Sequence, residues 1–186
     1  MTRPARRAGA CLLALVLPAC GGREPEPPAA AQEPALRVEP SAPADSTLAA
    51  RQAEVARRGA GVMPFDLERT THAFRPTPEG GVQTVVARDL PDAEQVRLVR
   101  EHLRDAARRF AAGDFGDPAE IHGEDMPGLA ELRAGHERVR VTYEEVEAGA
   151  RITYATQDAA LARAIHDWFR AQTSDHGSHA RHEDGG

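Results

Sequence analysis

Eight histidines are the residues of this 186-residue chain best suited to chemistry. The segment IHGEDMPG, residues 121–128, places His122, Glu124, Asp125 and Met126 within five positions. The segment SDHG, residues 174–177, carries His176, and the following HARH adds His179 and His182. His72, His102, His136 and His166 are dispersed between them. Imidazole and carboxylate donors suit zinc or copper, and a thioether such as Met126 suits reduced copper. The set expected to share one ion is His122 with Glu124 or Asp125, joined by His176 and His166. That requires the corner at 121–128 and the end of the last helix to meet at one edge of a sheet.

The same residues also read as a plain corner between two short helices. His122 would fall in a last helical turn, where a cation suits the helix dipole. Asp125 can cap the helix that follows, and Gly123 and Gly128 serve as turn residues. His72 shares a strand face with Phe74, and is read either as a buried histidine bonded to a carboxylate or as a base without a visible nucleophile. No HExxH, Cx2C or GxSxG pattern occurs.

The elements that must position these residues follow from periodicity. ERTTHAFRPTPEGGVQTVVARD reads as a β-hairpin turning at TPEGG. A long helix follows from Pro91 to about Ala112, with Val96, Val99, Leu103, Ala106, Ala107 and Phe110 on one stripe. Two short helices, DPAEIHG and MPGLAELRAG, lead to a second hairpin, RVRVTYEEVEAGARITYAT. A last helix, capped by Asp158, carries Leu161, Ile165, Trp168 and Phe169 on one face. Two ββα units predict an α+β two-layer sandwich: a four-stranded, mostly antiparallel sheet with helices on one face. Arg138, Arg140 and Arg151, with Thr142 and Thr153, should line the open face, a surface for an acidic partner protein or an anion.

The N-terminus reads as an address. Three arginines precede a short apolar run ending in LPAC, Leu17 to Cys20. That run is too short to span a bilayer. Residues 21–45 hold six prolines and read as a linker, reaching ~70–80 Å if extended as polyproline. A short helix is expected over 46–62, a globular domain over 63–177, and a polar, histidine-containing tail over 178–186. Without its first nineteen residues the chain has 20 basic and 29 acidic side chains, since three of the 23 arginines are lost, giving −9 instead of −6. An acidic exported chain is not expected to bind nucleic acid.

LPAC resembles the lipobox of bacterial lipoproteins. The resemblance implies cleavage before Cys20, lipidation of its thiol and a membrane anchor, with the domain in the periplasm, at the outer membrane or alternatively the inner one. Of the two cysteines, Cys11 would leave with the signal and Cys20 would carry lipid, so any metal site must use other donors. The run from MPFDLERTTHAFRP through IHGEDMPGL to AIHDWFRAQTSDHG resembles a family of small bacterial proteins often labelled aspartate carbamoyltransferase. The label implies an S-T-R-T-R run opening a helix and two large α/β domains. The nearest segment here, LERTTHAF, has no serine and one arginine, and reads as a strand. The expected role is therefore metal-ion binding by a tethered domain. A protein-interaction or envelope-assembly module is the alternative, followed by an enzyme, as a carbamoyltransferase or a hydrolase.

Overall fold

The strand pairing fixes the architecture. In the computed structural model, which describes residues 42–90 and 92–183, five strands form one mixed sheet. The described residues belong to one compact unit. The export segment, Cys20 and most of the linker lie outside the described residues, as does Pro91.

Helix α1 (Ala42–Val62) precedes the first hairpin, β1 (Thr70–Thr77) and β2 (Gly80–Ala87). Helices α2 (Ala93–Ala111), α3 (Gly116–His122) and α4 (Leu129–Gly135) follow. The second hairpin is β3 (Arg140–Val146) and β4 (Gly149–Ala155), and the chain closes with α5 (Ala159–His176) and β5 (Ala180–His182). The strand order is β3-β4-β2-β1-β5, with β2 and β4 antiparallel at the centre and β5 parallel to β1.

The α+β class therefore stands, with two ββα units joined through β2 and β4. The sheet differs from the expected four antiparallel strands because the C-terminal segment adds a fifth. Gly177, at φ +53°, ends α5 and lets the chain turn back beside β1. His72 then aligns with Ala180, and the Glu183 amide donates to the Phe74 carbonyl at 2.9 Å. A three-residue strand of alanine, arginine and histidine has neither β-branched residues nor apolar alternation to announce it.

The first helix is also longer than expected, beginning at Ala42. It runs through Gly59 because the space beside that glycine is taken by Met63, whose Cε would lie 2.9 Å from an added Cβ. A glycine inside a helix serves there as a close-packing point instead of a stop.

One sheet face carries the core. The registers place Phe74 opposite Gln83, Gln83 opposite Ile152 and Ile152 opposite Tyr143. α2 packs over β3 and β4, and α5 over β1, β2 and β5. Their rings meet above Tyr154, whose centroid lies 5.4 Å from Trp168 and 6.3 Å from Phe110. The stripe on α2 from Val96 to Phe110 is buried throughout, which is why a polar helix by composition stays docked. α1 then packs against α3 and α5, beside the ends of both short and long helices.

Candidate functional site

Three histidines come together under α1. His72 stands on β1, on the helix-bearing face. His122 is the last residue of α3 and His176 the last of α5. Each has only 3–5% of its surface exposed. The His72 and His176 rings stack nearly parallel with centroids 5.0 Å apart. His122 meets His176 edge-on at 4.9 Å.

Local structure explains why these side chains turn inward. α3 ends at Gly123, whose φ of +100° lets the chain leave the helix at once. Gly128, at φ +82°, then brings the loop against α5, where an added Cβ would lie 2.1 Å from the Ala164 carbonyl oxygen. This clamp sets the end of α3 beside the end of α5. No side chain caps the start of α3 or of α4. Asp117, in the first turn of α3, holds Arg109 through two bonds of 2.7 and 2.8 Å.

His122 is oriented by a buried carboxylate. Its Nδ1–H donates to Asp175 Oδ2 at 2.8 Å, which leaves Nε2 with its lone pair in the neutral ring. Arg51 of α1 grips the same carboxylate, with Nε 2.5 Å from Oδ1 and Nη2 2.7 Å from Oδ2, and reaches the His122 carbonyl at 3.2 Å. Burial alone would raise the Asp175 pKa, but the bonds from His122 and Arg51 hold it below the usual carboxylate value. The other two imidazoles are less well provided. Nδ1 of His72 and Nδ1 of His176 are buried without a hydrogen-bond partner. Burial pushes the His72 pKa down to about 3 and that of His176 well below its ordinary value, so both rings are neutral at pH 7.

The three rings border a cavity of about 50 Å³. It has room for a few waters or a small ion. His102 of α2 lines it as well, with Asp117, Gln83 and Gln172 as further polar groups. Phe65 stands between His72 and His102, at 5.8 and 5.5 Å from their rings. Met63 supplies a thioether to the wall, while Met126 is buried in the neighbouring core. Burial lowers the pKa of His102 too.

Of the residues expected to share an ion, His122 and His176 are thus adjacent. Glu124 and Asp125 are exposed, and Glu124 pairs with Arg133 on the outer side of the loop. One residue past the glycine bend, their side chains project away from the cavity. His166 lies elsewhere on α5, where its Nε2–H is shared between the Thr77 and Gly80 carbonyls at 2.9 Å each and ties the first hairpin to the helix. That nitrogen is a donor there and has no lone pair for a metal. The positions that sequence reasoning left out are Asp175, Arg51 and Met63. Asp175 adjoins His176 in the SDHG segment, but nothing in the spacing links Arg51 to either.

Among the described residues, no three histidine, aspartate or glutamate groups stand with donors already converged on one point. The ring centroids of His72, His122 and His176 lie 4.9–5.0 Å from one neighbour to the next. Two imidazoles bound to one ion at ~2.0–2.1 Å with a tetrahedral angle have centroids about 5 Å apart.

The arginines expected on the open face divide. Arg140 and Arg151 lie on the face away from the helices, Arg151 bonded to Glu144 at 2.7 Å. Arg138 belongs to a short 3-10 turn before β3 and pairs with Asp158 at 3.3 Å. The basic strip is therefore interrupted by its own carboxylates.

No family model, curated protein or solved structure matches the chain.

Proposed function

We propose that the domain binds one transition-metal ion, zinc or copper, through His72, His122 and His176, and that lipidated Cys20 anchors it to the periplasmic side of a bacterial membrane. One observation carries the metal reading: three buried, close-packed imidazoles, two with an unbonded ring nitrogen and one oriented by a carboxylate. An unsatisfied buried polar atom costs about 1–3 kcal/mol, and an ion supplies the missing bonds. The carboxylate on His122 Nδ1 is the arrangement that fixes the tautomer and raises the basicity of a metal-binding histidine. Anchoring rests on the LPAC segment, and a lipid chain gains force when paired with a second one.

The test is metal content and thermal stability of the chain purified with and without added zinc or copper. One ion per chain is expected, and at a hundredfold excess over Kd the stability should rise by about 2.7 kcal/mol. Substituting His122 or His176 by alanine should abolish both. A wild-type chain that retains no ion and melts at the same temperature throughout refutes the reading. For the anchor, Cys20→Ser should release the chain from the membrane fraction, and its retention there would refute lipidation.

A further inference from the structure

The charge around the cavity bears on which ion it takes. Two carboxylates approach it, and each already faces a guanidinium. Asp175 is held by Arg51 through two bonds, and Asp117 by Arg109 through two more. The nearest imidazoles, His72, His122 and His176, are buried. No net negative charge is left over to balance a dication.

Desolvation then discriminates by valence. The cost of moving an ion into a low-dielectric interior grows with the square of its charge, so a dication suffers about four times the penalty of a monocation of similar size. Imidazole alone serves zinc and copper equally, but a thioether favours the softer ion. Met63, 8% exposed and one residue past α1, is the methionine that lines the cavity. Coordination number points the same way. Structural zinc is almost always four-coordinate. Cuprous copper accepts two to four donors without a fixed tetrahedral geometry, which suits three crowded imidazoles and a thioether whose donors are not pre-set on one point.

We infer that the ion this cavity selects is copper(I), held by the buried imidazoles with Met63 as its soft ligand. The inference rests on the metal-binding reading and adds the identity of the metal. No electron transfer is required, since the ion would enter already reduced.

The experiment titrates the full chain, without oxygen, against copper(I) presented by a chromophoric cuprous chelator. In parallel it is titrated against zinc with a zinc indicator. Expected are one equivalent of copper(I) bound far more tightly than zinc, and sulfur in the copper X-ray absorption shell. Met63→Leu, which conserves volume, should weaken copper(I) binding about tenfold or more while leaving zinc affinity unchanged. Met126→Leu should alter neither. Zinc binding equal to or tighter than copper(I) overturns this inference and leaves the metal site standing. A Met63→Leu chain with unaltered copper(I) affinity overturns the thioether role. If neither ion binds, the metal site itself falls and this inference with it.

Discussion

Lowering the pH should unfold this domain unusually early, and the reason is local. His72 and His176 are neutral in the fold, with pKa values pushed down by burial, to about 3 for His72. In the unfolded chain a histidine titrates near ~6.5. The unfolded state therefore takes up the proton first. The stability linked to each ring is fully present above about pH 6.5 and is lost as the pH falls from there toward the folded value. Between pH 7.5 and 5.0 His72 alone removes about 2 kcal/mol, and His176 adds a loss of the same sign. A domain of this size holds roughly 5–15 kcal/mol in total. The shifted carboxylates do not mask the effect. The folded pKa values of Asp114, Asp158 and Asp175 lie below the ordinary value, so their losses begin only under about pH 4.

The assay is urea unfolding at half-unit steps of pH, in chelator so that no metal contributes. The expected slope between pH 6 and 5 is at least about 1.2 kcal/mol per unit from His72, with His176 adding to it in the same direction. His72→Leu should lower that slope by about 1.2 kcal/mol per unit, because one proton-binding difference disappears. The same variant should be as stable as the parent at pH 7.5 or more so, since an apolar group replaces an imidazole with an orphan nitrogen. A slope under about 0.5 kcal/mol per unit would refute the reasoning, because it would mean these rings already carry protons in the folded chain.

Other consequences follow from single contacts. Arg51→Gln leaves Asp175 buried with His122 as its remaining strong donor, and should cost about 1–3 kcal/mol in a thermal melt. Gly128→Ala combines a left-handed backbone with a Cβ 2.1 Å from the Ala164 carbonyl oxygen, and should cost more than about 3 kcal/mol by urea unfolding. Ending the chain after Gly177 removes β5 and the His179–Glu68 pair. Amide exchange in β1 should then accelerate, at about 0.5–1.5 kcal/mol for each backbone bond lost.

The fold was legible where periodicity was strong. The α2 stripe, the Asp158 cap, and both hairpins with their turns follow from residues that repeat at helical or strand spacing. β5 escaped because its three residues, Ala180, Arg181 and His182, owe their strand to an existing edge beside β1. The start of α1 escaped because Pro43 at a first turn reads equally as linker and as helix. At the site, the proximity of His122 and His176 was readable from two motif-like corners. His72 joins them through sheet register, and Arg51 through helix packing across more than a hundred residues to Asp175. Neither relation leaves a trace in local spacing. The carboxylates nearest His122 in sequence misled for a geometric reason: past Gly123 the backbone direction changes, so adjacency along the chain places Glu124 and Asp125 outside.

Stability alone gives no reason for the histidine cluster. Apolar side chains of similar volume would fill the same space at no desolvation cost and without two orphan nitrogens. Asp175 deepens the point, since a carboxylate with 5% of its side chain exposed carries a desolvation cost that an apolar residue would not. Yet the fold directs four elements, β1, α2, α3 and α5, to contribute one histidine each to a single small cavity, and uses two glycines in left-handed geometry to turn α3 toward α5. Stability forgone at one location, with polar groups aimed at one another, is what the proposed ion-binding role would account for. Arg51 also ties α1, the element that follows the Pro-rich linker, to that location. Anything that seats between the imidazoles and strengthens the His122–Asp175 bond would tighten α1 onto the domain, so occupancy of the cavity and the docking of α1 should be two readouts of one equilibrium.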